Sequence, residues 1–345
     1  MLTTDFDYFL PPELIAQTPM EPRDASRLLV YNRKTAEIFH RHFYDIGEYL
    51  NPGDLLVRNQ TRVLPARIFA QKAETGGKVE ILLLRRQNET DWEALVGGKR
   101  IQTGMKLILS ESLCAEVIAV YDGSRRLIRF DGPFEAHLAS HGKMPLPPYI
   151  HEQLTDQERY QTIYANPNQT GSAAAPTAGL HFTDELNDKL KAHGVRFADV
   201  TLHVGLDTFQ PVVEDDPATH KIHTEWCELS AETAALIQET RNAGRRVIAV
   251  GTTSARTLES AAAAALSAGL DQCVVPIRGD TGIFILPGYE FRAVDGIITN
   301  FHLPKSTLIM MISAFAGREN VLSIYQQAIE MKYRFFSFGD AMLIL

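Results

Sequence analysis

Residues 245–269 read RRVIAVGTTSARTLESAAAAALSAG. The first seven read as a strand, Arg245 and Arg246 leading into an apolar run that stops at Gly251. Three hydroxyl residues follow, and then an Ala-rich stretch of helical composition closed by Gly269. A buried-type strand, a glycine turn and a capped helix make up the repeating unit of an α/β sheet. The same texture extends in both directions. Upstream, residues 230–244 (SAETAALIQETRNAG) read as a helix opened by Ser230 and stopped by Gly244, and residues 195–205 (VRFADVTLHVG) as a strand. Residues 184–194 (DELNDKLKAHG) read as a helix capped by Thr183 or Asp184. Thr155 with Glu158 predicts a capping box opening a helix over 155–165. Downstream, GIFIL (282–286) and GIITNF (296–301) read as strands, and residues 305–317 and 319–332 as helices. With short strands at 26–32 and 54–58, this alternation predicts an α/β core on a largely parallel sheet.

Residues 63–130 differ. VLPARIFAQ, KVEILLLR, DWEALVG, MKLILS, LCAEVIAVY and RRLIRF follow one another at short spacing, with Gly76-Gly77, Gly97-Gly98 and Asp122-Gly123 as turns. Six such strands predict a small closed barrel. The organisation expected is a discontinuous core, 1–60 and 146–345, interrupted by a β-barrel domain at 61–145. The Pro-rich PLPPYI (145–150) serves as the hinge. Charge follows the same division. Residues 58–130 hold thirteen Lys/Arg against eight Asp/Glu, a net of +5, in a chain whose total is −8. A basic island in an acidic chain suggests a module with its own partner.

The 345 residues are 45% hydrophobic and 22% charged, the balance of a soluble globular protein. No apolar run approaches the ~20 residues of a membrane span. The acidic start, MLTTDFDYFL, lacks the basic region of a signal peptide. Cys114, Cys227 and Cys273 are far apart, which argues against a disulfide framework or a thiolate metal site. The chain is read as a cytoplasmic monomer with no membrane association.

In an α/β core, ligands sit beyond the carboxyl ends of the strands. The loops in such positions are unusual. GSAAAPTAGLHFT (171–183) is small and bare, so a ligand can approach its backbone. It ends at His181, either a proton carrier or a structural histidine. TLHVGLDTFQP (201–211) puts His203 at a strand end before Gly205, again as a site residue or a satisfied core histidine. HKIHTE (220–225) suggests either a polar substrate loop or a metal site of His220, His223 and Glu225, though the spacing is loose for metal. In AVGTTSARTLE (249–259), capping explains one of Thr252, Thr253 and Ser254. Three hydroxyls plus Arg256 exceed what a cap needs. TNFHLPKSTL (299–308) carries His302, and YRFFSFGD (333–340) carries Arg334 and Asp340.

Together these blocks, with PPELIAQTPMEPRDASRLLV (11–30), NQTRVLPAR (59–67) and PLPPYI, resemble the S-adenosylmethionine:tRNA ribosyltransferase-isomerase family of the queuosine pathway, along the whole chain. The resemblance implies transfer and isomerisation of the ribosyl part of S-adenosylmethionine onto 7-aminomethyl-7-deazaguanine at the wobble position of tRNA. Adenine and methionine leave and epoxyqueuosine-tRNA forms. The partners implied are the tRNA anticodon arm and S-adenosylmethionine, consumed as a substrate, with no metal or other cofactor. Such chemistry needs a base for the proton beside the sulfonium and an acid for departing adenine. His181, His203 and His302 suit these steps, with Glu225 completing the catalytic set. The substrate-binding set is Pro176, Thr177, Gly179, Gly205, His220, His223, Thr252, Thr253, Arg256, Arg334 and Asp340. One departure is Asp207, where the family pattern has glycine. Three rival classes make poorer use of these loops. A methyltransferase would show a GxGxG-type loop after its first strand, and none is present. A metal hydrolase would rest on His220, His223 and Glu225. A non-catalytic RNA-binding module leaves the histidine loops unexplained.

Overall fold

The structure, a computed structural model, describes residues 1–132, 134–205 and 211–345. The chain opens with β1 (Arg27–Tyr31), β2 (Ile38–His42) and β3 (Leu55–Asn59). Next come β4 (Arg67–Lys72), β5 (Lys78–Arg86), β6 (Asp91–Gly97), β7 (Lys106–Ser110), β8 (Leu113–Val120) and β9 (Arg125–Phe130), and then helix α1 (Phe134–His141). The remainder is α2 (Asp184–Ala192), β10 (Arg196–Leu202), β11 (Glu225–Leu229), α3 (Ala231–Asn242), β12 (Val247–Val250) and α4 (Thr252–Ser267). It ends with β13 (Ile277–Thr281), β14 (Gly296–Asn300), α5 (Thr307–Ala316), α6 (Arg318–Glu330) and β15 (Ala341–Ile344).

Two compact units result. One comprises Met1–Arg62, Pro147–Gln169 and Ala175–Leu345, and the other Val63–Leu146 with Thr170–Ala174. The expected core had included residues 170–174. In the first unit nine strands form one sheet in the order β13-β11-β10-β3-β12-β14-β15-β1-β2. Its centre, β10-β3-β12-β14, is parallel, as is the β15-β1 pair. The flanks are antiparallel, so the sheet is mixed around a parallel middle. The central strands are buried throughout because both faces are covered. Successive residues point to opposite faces. Leu29, Val57, Ala249 and Ile297 pack under α3 to α6 with Ile237, Leu258, Ile312 and Tyr325. Leu28, Leu56, Ile248 and Ile298 pack with Phe43, Phe182 and, from α2, Leu186 and Leu190. Each Leu, Ile, Val and Phe among them contributes ~1.5–3 kcal/mol by leaving water.

The helices start where the hydroxyls are. Thr183 accepts a bond from the Leu186 amide (3.1 Å), Ser230 from Thr233 (3.1 Å) and Ser306 from Ile309 (3.3 Å). The second unit is a closed six-stranded barrel in the order β9-β6-β5-β4-β7-β8, filled by its own core of Ile68, Ile81, Leu83, Trp92, Val117 and Ile128.

Two expectations are corrected. Residues 155–165 form one 3-10 turn, Gln157–Tyr160, capped by Asp156 rather than Thr155. The buried residues there are consecutive, Tyr160, Gln161 and Thr162, so the segment has no helical stripe to bury. The strand expected at 282–286 lies one step earlier, as β13, where Thr281 pairs with Glu225. Among the described residues no helix is long and apolar enough to cross a membrane, and the three cysteines are free thiols.

Candidate active site

Three of the four parallel central strands, β10, β12 and β14, deliver their carboxyl ends to one edge of the sheet. β12 runs into Gly251, whose φ of 90° is open chiefly to glycine, and the chain then turns directly into α4. No side chain caps this helix, so its first amides are available to a polar ligand. β14 runs through Asn300 and Phe301 to His302, and β10 runs to His203, Val204 and Gly205. A cavity lies against these ends. The residues lining it include Ala175, Pro176, Thr177 and Ala178 of the small loop, Val204, Gly251, Thr252 and Thr253, Thr299 to Leu303, and Tyr149 with Phe336 and Ser337.

His302 is the titratable imidazole in that wall. Its backbone is clamped at both ends: the amide donates to the Tyr325 hydroxyl (2.8 Å), and the carbonyl accepts from Tyr8. Its Nε2 lies 2.7 Å from the Thr299 hydroxyl. With the hydroxyl proton on the Asn300 carbonyl (3.2 Å), Nε2–H donates to Thr299 and Nδ1 keeps a lone pair. Burial lowers the His302 pKa to about 3, so the ring is neutral at pH 7.

Thr253 is 9% exposed, and among the described residues its hydroxyl has no partner although it stands beside the open helix start. Tyr149 and Phe336 set two rings 4.8 Å apart on another wall, and the Tyr149 hydroxyl bonds Ser337 (2.7 Å). Asn300, 2% exposed, ties the walls together. It accepts from Thr177 (3.0 Å) and donates to the Phe336 carbonyl (3.1 Å) and to His181 Nε2 (3.1 Å).

The other sequence-derived residues fall in three groups. Pro176, Thr177, Thr252 and Thr253 line the cavity with His302. His181 lies behind it and lines a second, smaller cavity. Its Nδ1 pairs with Ser26 (2.7 Å), its ring stacks on Phe43, and burial, reinforced by Arg334 and Arg23, lowers its pKa to about 3. Both its nitrogens are engaged, so proton transfer there requires Ser26 or Asn300 to release a bond. Gly179 is needed because a Cβ would meet the Tyr164 hydroxyl at 2.0 Å.

The third group lies outside the cavity wall. His203 bonds Thr61 (2.8 Å) and stacks on Trp226, and burial lowers its pKa to about 4. Glu225 accepts from the Gly205 amide (2.8 Å) and pairs with Arg256; both side chains are buried. This pair braces the turn after β10. Among the described residues, Arg256 Nε and Nη2 have no partner. His220 bonds Glu214 (2.8 Å), and His223 is exposed. Among the described residues no group of three His, Cys, Asp or Glu side chains is gathered to hold a metal. Asp340, fully buried, accepts from the amides of Arg27 (2.9 Å) and Arg334 (2.8 Å) and from the Arg27 guanidinium, while Arg334 itself reaches the Thr18 carbonyl. Both are structural ties between segments distant in sequence. Asp207 lies outside the described residues.

Tyr149, Asn300 and Ser337 were not singled out from sequence. Asn300 sat within a quoted block, but nothing local marks it as a hub. Its partners come from residues 177, 181 and 336.

A largely apolar cavity at the carboxyl edge of a parallel sheet, with a neutral histidine and an open helix start in its wall, defines an α/β enzyme of the kind that binds a small molecule between strand ends and helix. The family model described as queuosine biosynthesis protein matches residues 3–344, and the chain belongs to that family. It is 52% identical to the S-adenosylmethionine:tRNA ribosyltransferase-isomerase of Staphylococcus haemolyticus and 54% identical to that of Symbiobacterium thermophilum, over the full length of each chain. Among solved structures it is similar to the S-adenosylmethionine tRNA ribosyltransferase of Thermotoga maritima. The TM-score is 0.55 at 40% identity, covering 99% of this chain and all of that one.

Proposed function

We propose that the chain transfers and isomerises the ribosyl moiety of S-adenosylmethionine onto 7-aminomethyl-7-deazaguanine at the wobble position of tRNA, giving epoxyqueuosine-tRNA with release of adenine and methionine. The observation that carries this reading is the cavity wall itself. It sets a neutral histidine, an uncapped helix start with an unpartnered hydroxyl, and an aromatic pair around one space. These match a nucleoside base, a carboxylate and an acidic carbon on one small molecule. The Tyr149–Phe336 pair suits the adenine, and the α4 start suits the carboxylate of the methionine part. S-adenosylmethionine is a substrate here, and no metal step is invoked.

His302 is the proton carrier in this scheme. The sulfonium acidifies the adjacent ribosyl 5′-carbon, and Nδ1 is the lone pair positioned to accept that proton. Burial makes the neutral ring a weak base and its protonated form a strong acid. The proton is therefore held briefly and passed to the departing adenine, so that one group serves both steps.

The test is incubation of the protein with S-adenosylmethionine and tRNA carrying the aminomethyl precursor, in excess chelator. Free adenine and methionine should appear in equal amounts with modified tRNA. Methyl transfer, or adenine release that needs an added divalent ion, overturns the proposal.

A further inference from the structure

The second cavity contains a feature that the chemistry above does not use. Arg23, Arg159, Ser26, His181, Ser337 and Gly339 are among the residues that line it, and among the described residues no carboxylate does. It adjoins the main cavity, because Ser337 belongs to both walls and Asn300 of one bonds His181 of the other. Two guanidinium groups therefore face one small space.

Their proximity is unfavourable in the free protein. The Arg23 pKa is lowered by burial first and by the charge of Arg159 second, and Glu21, Asp156 and Glu158 partly offset them. Backbone carbonyls hold the two in place. Arg23 donates to Gln161 O (2.7 Å) and Glu158 O (3.2 Å), and Arg159 to Met20 O (2.6 Å). Each guanidinium has five N–H donors, so these bonds leave others for a ligand. The Glu21 carboxylate reaches Arg159 at 2.7 Å, but it is 76% exposed and stands at the rim, where an incoming anion can replace it.

We propose that this cavity is a phosphodiester subsite, in which Arg23 and Arg159 grip the backbone phosphate next to the nucleotide whose base enters the main cavity. Paired guanidinium forks match the geometry of a phosphate group. The adjoining walls explain the choice of occupant, because a base seated in one cavity carries its own phosphate to the other. The proposal rests on the tRNA reading above.

The test measures tRNA affinity against salt for the full chain and for Arg23→Gln, Arg159→Gln, Arg23→Lys and Arg159→Lys, with S-adenosylmethionine affinity alongside. Each Gln variant should bind tRNA about tenfold more weakly, as expected for one lost charge-assisted bond. It should also flatten the log–log salt slope by roughly 0.7–0.9. The Lys variants keep the charge and should keep the slope, and S-adenosylmethionine binding should not move. If the Gln variants leave the slope unchanged, or Lys fails as fully as Gln, the arginines are only braces for the carbonyls. Loss of S-adenosylmethionine affinity instead would assign the cavity to that molecule's carboxylate. A wild-type chain that neither binds tRNA nor releases adenine in its presence overturns the functional reading and this subsite together.

Discussion

The three histidines of the candidate site share one physical condition, and it separates their roles. Burial depresses each pKa, to about 3 for His181 and His302 and about 4 for His203, so all are neutral at pH 7. Of these, His302 lines the main cavity. His302→Gln keeps a donor for Thr299 and removes the titratable nitrogen. It should lower kcat by about 10²–10⁴ with a nearly unchanged melting temperature. A loss of that size from His181→Asn, with stability intact, would move the proton-handling role to His181. The same depression has a consequence for stability. Below about pH 6.5 the unfolded chain protonates these rings while the folded chain does not. Stability present above that pH is therefore lost as pH falls from about 6.5 toward 4. Each buried histidine steepens the slope by roughly 1.4 kcal/mol per pH unit. Denaturant unfolding across that range checks it, and a flat profile would contradict the buried neutral state.

At the scale of elements, the informative object is the β12–Gly251–α4 turn. Thr253 lies at an open helix start, and its hydroxyl bonds nothing among the described residues. Thr253→Val should therefore leave stability unchanged or slightly raised. It should raise the KM for S-adenosylmethionine about 3–10-fold, the value of one neutral hydrogen bond. Equal loss of stability and affinity would make the hydroxyl structural. This turn was legible in sequence because strand, glycine and helix each carry their own local signal. The barrel was legible for the same reason, its alternation being interrupted by paired glycines. β2, β11 and β15 were not, and each is explained by pairing. β2 is a half-exposed edge strand pairing along β1, and β11 is a polar-patterned strand held between β10 and β13. β15 is a four-residue run that is fully buried only because β1 and β14 flank it. The site divided in the same way. Loop residues beside strand ends line the cavity, whereas Glu225, Arg256 and Asp340 bond other parts of the protein; a buried charged residue gives no sequence sign of whether it faces ligand or protein.

For the whole molecule the question is where an acidic chain grips a polyanion, as the proposed function requires. The barrel unit carries the concentrated positive charge, but its structure shows that much of it is already engaged. Arg129 pairs with Asp91 (2.7 Å), Arg125 with Glu93 (3.3 Å) and Arg67 with Glu80 (3.2 Å). Arg126 donates to carbonyls of its own turn, Tyr121 and Gly123, and Arg86 to those of Asn88 and Glu89. Lys99 and Arg100 differ. Both side chains are exposed at the turn after β6, and among the described residues neither is in an ion pair. A phosphate reaching Arg125 must first compete with Glu93, whereas one reaching Lys99 or Arg100 displaces only water and counterions. Neutralising Lys99 and Arg100 together should therefore flatten the log–log salt slope of tRNA binding by roughly 1.4–1.8, two contacts' worth. Neutralising Arg125 and Arg126 should change it by less than half as much. S-adenosylmethionine affinity should be the same in all. The decisive comparison is between the pairs. Equal effects would mean that net charge alone attracts the tRNA to the barrel, and no effect from either would leave the grip to the core unit.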